Sequence, residues 1–179
     1  NTIITIICTR IIIILILLLL LILIIIIIII VVIIIIIVVI IITLITTSNT
    51  IIINPGIKSY IRFGFVLLFI QILLGGWTST NYAALACTDF PTCHGSLMPD
   101  MDFKNGFSPF RELGMTSSGE GLSIEALQAI QWVHRLGAVV LTAYLIFMAY
   151  LLRNYPSTRF YRNLLLLVLL LQVIIGIAN

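Results

Sequence analysis

Charged side chains are scarce in this sequence: they account for 8% of its 179 residues, whereas hydrophobic residues account for 62%. A soluble domain carries about 25% charged residues, so this composition excludes a water-soluble globular fold. The basic residues are scattered and the net charge is only +3, so no nucleic-acid partner is expected. The apolar runs are long and continuous, and they predict an all-α, polytopic membrane helix bundle of about four transmembrane helices.

The first apolar run, residues 11–42, contains no charged residue, glycine or proline. As one helix it would be about 48 Å long, against about 30 Å for the hydrocarbon core of a bilayer. Its nearly uniform Ile, Leu and Val side chains cannot specify a packing face, since small and polar residues normally do so in membranes. We interpret residues 1–50 as a separate, low-information transmembrane region. The run is too long for a cleaved signal peptide.

A second region is expected over residues 51–179, and it begins with a turn at Asn54-Pro55-Gly56. Its apolar runs predict three spans, at about residues 63–77, 124–152 and 164–179. One long polar loop, residues 78–123, joins the first two of these spans. Trp77 and Tyr82 lie where the loop begins and are expected to anchor it at the membrane interface.

Basic residues set the expected orientation of these spans. Five of them flank the spans on one side and two lie in the loop 78–123: Lys58, Arg62, Arg153, Arg159 and Arg162 against Lys104 and Arg111. Because short loops rich in Lys and Arg stay in the cytoplasm, the loop 78–123 is predicted to be external. All six acidic residues fall in or at the edge of this loop, which agrees with that assignment.

Two cysteines, Cys87 and Cys93, lie in the predicted external loop with Pro91 between them. In an oxidising space such a pair is expected to form a disulfide. Closing so short a loop stabilises the fold by only about 2 kcal/mol in the chain-entropy treatment, so a redox role stays open beside a structural one. His94 follows directly and is interpreted as a solvated loop residue. Zinc is not expected, because a fourth ligand is missing.

His134 lies about ten residues inside the third predicted span. A polar ring at membrane depth is costly unless it faces a partner or a cavity, and imidazole is the commonest ligand of haem iron. A hydrogen bond to a neighbouring helix is the alternative. Gly137 and Ala138 follow on the same helical face and would let a flat macrocycle approach. Arg135 has two interpretations, as a partner of a haem propionate or as a side chain that reaches the interface.

The loop motif of residues 75–95 and the helical motif of residues 132–138 together resemble the haem A synthase family, specifically the C-terminal half of its bacterial members. The resemblance covers about residues 58–179, and none is found in the first fifty. It implies that His134 is the axial ligand of a haem b iron and that Arg135 and Gly137 belong to the cofactor site. It also implies a cysteine pair in the loop, here Cys87 and Cys93.

The resemblance implies a role in haem A biosynthesis, in which the C8 methyl group of haem O is oxidised to the formyl group of haem A for terminal oxidases. The implied partners are membrane lipid, haem O and haem A, haem O synthase and oxidase assembly factors, with a homo-oligomer as a further option. The location would be a multi-pass membrane protein of the bacterial or mitochondrial inner membrane. In the family, the N-terminal half has a glutamate three residues before its first ligand histidine. The equivalent position before His134 is Gln131, so by this resemblance the chain matches the C-terminal, cofactor-binding half.

A second histidine would be expected on a later helix of this family, and the sequence to Asn179 does not contain it. We therefore expect a partial chain that is not catalytically competent alone. Two other classes stay open. A b-type cytochrome subunit that only transfers electrons would also use His134. A membrane thiol-disulfide oxidoreductase would use Cys87 and Cys93, although such enzymes usually have a closer cysteine spacing.

Overall fold

The computed structural model describes residues 55–178 except Arg111 and Ser117, and five isolated positions before them. Those five positions are all helical: Leu15, Leu18, Val32, Ile35 and Val39. The rest of the predicted first span, residues 11–42, lies outside the described residues. The chain divides into two compact units, Asn1–Thr43 and Leu44–Asn179, and the fold described below is that of the second unit.

Three long helices form this second unit, as the sequence predicted for it: α1 (Pro55–Thr80), α3 (Ile124–Leu152) and α4 (Arg159–Ala178). Between them lie the short helix α2 (Phe103–Gly106) and two single 3-10 turns, Ala83–Leu85 and Pro156–Thr158. Within the described residues, three helices are long and apolar enough to cross a membrane. The same part of the chain contains no β-strand, only two isolated bridges in the loop between α1 and α3.

Helix α1 is longer than the predicted span 63–77 at both ends. It begins at Pro55, so the expected turn at Asn54-Pro55-Gly56 is wrong from Pro55 onward. Proline is favoured in a first helical turn because the missing N–H has no partner there anyway. At the other end the hydroxyls of Thr78 and Thr80 donate to the carbonyls four residues earlier, at 2.8 and 2.9 Å. Local hydropathy does not detect either extension, because both carry polar residues.

Helix α3 has the bounds that the sequence predicted, Ile124–Leu152. Ser123 caps its start, where the Ser123 hydroxyl accepts a hydrogen bond from the Ala126 amide at 3.2 Å. Glu125 lies in the first turn, where a negative charge complements the helix dipole. At the other end the guanidinium of Arg153 stacks 3.9 Å above the ring of Tyr150. The sequence-based prediction of this helix rested on its apolar run alone, and the structure adds these contacts at its two ends.

Helix α3 packs against both α1 and α4. Tyr144 of α3 donates its hydroxyl hydrogen to the Tyr60 carbonyl at 2.7 Å, and its ring lies 5.3 Å from that of Phe63. Gly64 permits this approach, because a Cβ there would lie 3.1 Å from the Tyr144 ring. Residues 60–64 meet Tyr144, whereas Gln71 further along α1 meets His134. The two helices are therefore antiparallel, and the start of α1 and the end of α3 lie opposite the loop 78–123.

Helix α4 begins at Arg159, five residues before the predicted position 164. Thr158 is fully buried at the preceding turn, and its hydroxyl donates to the carbonyls of Leu152 and Tyr155 at 3.1 and 2.8 Å. This contact lets the chain reverse direction within a few residues of α3. The first turns of α4 contain basic residues that lower the local hydropathy, so the sequence did not indicate where this helix begins.

The long loop between α1 and α3 folds back on the ends of both helices. The Trp77 indole donates to the Gly106 carbonyl at 3.0 Å, and the Trp132 indole donates to the Leu97 carbonyl at 2.8 Å. The Asn81 side chain, 1% exposed, accepts from the Gly114 amide at 3.1 Å. Long loops without much secondary structure are uncommon unless they have a function, and this one covers the end of the helix pair nearest His134.

Candidate functional site

His134 lies against helix α1 and is hydrogen-bonded to the Gln71 side chain. The Gln71 amide nitrogen lies 3.1 Å from His134 Nδ1 and also donates to the His134 carbonyl at 3.1 Å. The ring is only partly buried, and within the described residues its Nε2 makes no hydrogen bond. The Gln71 amide nitrogen can only donate, so Nδ1 accepts and a neutral His134 ring carries its proton on Nε2. Metal-binding histidines instead donate the proton of the other ring nitrogen to a neighbouring acceptor.

Two glycines let α1 and α3 approach each other beside this histidine. A Cβ on Gly75 would lie 3.3 Å from His134 Cε1. A Cβ on Gly137 would overlap Gln71 Oε1 and lie 3.1 Å from Leu74 Cδ1. The sequence predicted that Gly137 makes room for a cofactor, and in this structure the room above Gly137 is taken by Gln71 and Leu74.

A groove of about 250 Å³ lies between α1 and α3 next to this contact. Gln71 is the only polar side chain among the described residues that line it, and the others are aliphatic or glycine. His134 itself is not part of the lining. Pockets that enclose small-molecule ligands usually measure about 300–1,000 Å³, so this groove does not by itself enclose a macrocycle. His134 is the residue of this region that would hold a haem iron, and it would do so outside this groove.

Arg135 bonds to the loop that carries the disulfide, residues 86–96, which we call the disulfide loop. Its Nη1 donates to the carbonyls of Asp89 and Thr92 at 2.7 and 2.9 Å, and its Nη2 donates to the Cys87 carbonyl at 2.7 Å. The guanidinium carbon also lies 5.8 Å from the Phe90 ring. Three of the five N–H donors of the guanidinium are thus used by backbone oxygens, a role that neither interpretation from the sequence included.

The disulfide loop is closed by the bond between Cys87 and Cys93, as predicted. Both cysteines are buried, at 4% and 1% exposure. Asp89 organises the turn between them: its carboxylate accepts from the Thr92 hydroxyl, from the His94 amide at 2.6 Å and from the Gly95 amide at 2.9 Å. The Thr92 hydroxyl, followed by the Gly95 and His94 amides, holds the pKa of Asp89 well below its ordinary value.

His94 is exposed, and its Nε2 lies 2.9 Å from the Ala86 carbonyl. It therefore binds its own loop. Within the part of the chain that the structure describes, no group of three or more His, Cys, Asp or Glu residues could hold a metal ion.

Sequence reasoning missed Gln71. The signal was present, because Gln71 is the only polar side chain in the apolar run 63–77, and a polar group inside a membrane helix normally has a partner or a function. Its partner could not be identified, since His134 lies 63 positions away. Two further glutamines, Gln131 of α3 and Gln172 of α4, also carry a buried side-chain atom without a hydrogen-bond partner among the described residues.

Comparison with known proteins gives a consistent result. The family model described as cytochrome oxidase assembly protein, COX15-CtaA, matches residues 17–179. A relative from Shewanella oneidensis named heme A synthase is 39% identical over 131 residues, which cover 70% of this chain and 39% of the relative. A heme A synthase from Mesorhizobium japonicum is 29% identical over 86 residues, which cover 45% of this chain and 24% of the relative. No solved structure matches.

The family match begins at residue 17, so the sequence-based limit near residue 58 was too narrow. The chain spans about two fifths of the length of the Shewanella relative. The resemblance stated from the loop and helix motifs is confirmed. Because the family model covers most of the chain, the chain belongs to the COX15-CtaA family of cytochrome oxidase assembly proteins.

Proposed function

We propose that this chain is the haem b-binding part of a membrane enzyme of haem A biosynthesis, and that His134 supplies one axial bond to the haem iron. One observation carries the proposal: His134 lies in a membrane-length helix, and its Nε2 makes no hydrogen bond in the described residues. The relatives named heme A synthase support the reaction class.

In the whole enzyme, the C8 methyl group of haem O would be oxidised to the formyl group of haem A, and a bound haem b would supply one-electron transfer. The chain described here contributes a ligand and its support. Gln71 orients the His134 ring, Gly75 permits its close approach to α1, and Arg135 attaches the disulfide loop to the next position of the same helix. The loop covers the outer end of the helix pair and limits access of water to that end.

We also propose that the chain has two regions, residues 1–50 and 51–179, and that the loop 78–123 lies on the external side of the membrane. The proposed location is the bacterial inner membrane, where membrane lipid, haem O synthase and oxidase assembly factors would be its partners. The buried disulfide favours a structural role over thiol exchange, because an exchange partner must reach a sulfur atom. Cys93 is 1% exposed, and this observation disfavours the thiol oxidoreductase alternative.

Absorption spectroscopy tests the proposal on the purified chain reconstituted with haem in detergent. We expect a Soret band in the wild type, loss or shift of that band in His134→Ala, and an unchanged band in His94→Ala. The matched control is informative because His94 is the only other histidine of the chain, and it lies on the exposed loop. Equal haem uptake with and without His134, or no uptake by the wild type, would contradict the proposal.

A further inference from the structure

The end of the helix pair opposite the loop 78–123 carries positive charge that no acidic side chain balances. The start of α1, the end of α3 and the start of α4 lie at this end. Every acidic residue of the chain falls between positions 89 and 125, in the loop or in the first turn of α3. Charges of one sign repel each other, so the anions that balance this end come from outside the chain. The basic residues there are Lys58, Arg62, Arg153, Arg159 and Arg162.

Four aromatic rings lie where α1 meets α3 at the same end, and we call them the aromatic seam: Tyr60, Phe63, Tyr144 and Phe147. The ring centroids of Tyr60 and Phe147 are 6.1 Å apart, and those of Phe63 and Tyr144 are 5.3 Å apart. These contacts leave much of the ring surface uncovered, since Tyr60 is 48% exposed, Phe63 53% and Phe147 44%. Aromatic rings are enriched where membrane proteins cross the head-group layer, so the seam presents an apolar surface to lipid.

Helix α3 extends this surface by one more ring and a cation. Tyr150 follows Phe147 by about one helical turn and is 55% exposed. The guanidinium of Arg153 lies 3.9 Å above the Tyr150 ring. A guanidinium that stacks on a ring keeps its N–H donors, which lie in its own plane, for a further acceptor. Within the described part of the chain these donors bond to no acceptor.

We propose that this end of the chain holds one anionic phospholipid, with its acyl chains on the aromatic seam and its phosphate on Arg153. Arginine binds phosphate oxygens through two parallel N–H donors, and basic pockets between membrane helices bind acidic head groups. A zwitterionic lipid also carries a phosphate, but its ammonium group would lie among five positive side chains. The site is therefore selective for a head group with a net negative charge.

Native mass spectrometry of the full chain in detergent tests the head group. The probes are phosphatidylglycerol and phosphatidylcholine with identical acyl chains, titrated separately. We expect the wild type to bind phosphatidylglycerol more tightly, and Arg153→Gln to bind it about fivefold more weakly, the loss expected for one basic residue at an anionic surface. Lys104→Gln removes the same charge from the loop at the opposite end and should bind as the wild type does. Equal wild-type affinity for both lipids, or an unchanged affinity in Arg153→Gln, would overturn the proposal.

Two further measurements test the rings and the acyl chains without removing a charge. Tyr150→Leu keeps an apolar side chain but removes the ring beneath Arg153, so the affinity for phosphatidylglycerol should fall about two- to fivefold. Phe110→Leu changes a ring that is 96% exposed in the loop and should leave the affinity unchanged. A large excess of inorganic phosphate should not displace the lipid, because phosphate has no acyl chain to place on the aromatic seam. Displacement by phosphate, or a wild-type affinity in Tyr150→Leu, would contradict a lipid site.

The lipid site and the candidate haem ligand lie at different levels of α3. His134 lies toward the loop 78–123, whereas Tyr144 and Arg153 lie toward the opposite end. His134→Ala should therefore lose haem and keep its selectivity for phosphatidylglycerol. If this variant keeps its helical circular dichroism spectrum but binds both lipids equally, the lipid is held near His134 rather than on the aromatic seam, and the proposal is wrong.

Discussion

Replacing Arg135 by alanine should release the disulfide loop from helix α3. The change removes three hydrogen bonds of 2.7 to 2.9 Å between the guanidinium and the carbonyls of Cys87, Asp89 and Thr92. Hydrogen bonds to a charged group contribute about 1.5–3 kcal/mol each. The Arg135 side chain is partly exposed, so we reduce the total by about half for solvent screening. The loop should then open more easily by about 2–4 kcal/mol.

Hydrogen exchange measured by mass spectrometry can detect this change in detergent or nanodiscs. The Cys93 amide donates to the Ser96 carbonyl at 2.8 Å, and the Ser96 amide donates to the Cys93 carbonyl at 3.1 Å. The exchange rates of these two amides therefore report opening of the loop. At about 1.4 kcal/mol per tenfold, their exchange should accelerate about 30- to 1,000-fold in Arg135→Ala. The Gly106 amide, which donates at 3.0 Å to the carbonyl of Asp102, the residue that caps α2, should keep its rate.

Two further variants make the interpretation specific. Arg135→Lys keeps the charge but replaces a planar fork by a compact ammonium, so we expect an intermediate rate. Arg153→Ala removes an arginine from the other end of α3, where it stacks on Tyr150, and should leave the loop unchanged. If the Cys93 and Ser96 amides of Arg135→Ala exchange within about threefold of the wild-type rate, Arg135 does not hold the loop and the energetic reasoning is wrong.

Other predictions concern pH and packing. The lowered pKa of Asp89 means that its carboxylate stabilises the loop above the ordinary value of 3.8 and that this stabilisation is lost as the pH falls below it. Protection of the His94 and Gly95 amides should thus be constant above about pH 5 and decline below about pH 4; a decline that persists in Asp89→Asn would contradict this. Gly106→Ala should lower the free energy of unfolding by about 1–3 kcal/mol, because the new Cβ would lie 2.9 Å from the Ala126 carbonyl oxygen. The melting temperature should fall accordingly, and an unchanged melting temperature would refute that packing.

Properties that depend on neighbouring residues could be predicted from the sequence. Helix α3 was predicted over about residues 124–152 because its continuous apolar run is a local signal. The disulfide was predicted because Cys87 and Cys93 are close in sequence and lie in a polar loop. The early starts of α1 and α4 were missed for the opposite reason, since polar and basic residues in their first turns lower the local hydropathy.

The partners of the candidate site could not be predicted in this way. His134 and Gln71 are 63 positions apart, and Arg135 lies 43 to 48 positions from the carbonyls it binds. Hydropathy places each residue in a helix or a loop but does not specify which helical faces meet. Sequence therefore indicated that a histidine and an arginine lie in a membrane-length helix, near the end that joins the long loop. Only the antiparallel packing of α1 on α3 and the fold of the loop decided that Gln71 holds the histidine and that three backbone oxygens hold the arginine.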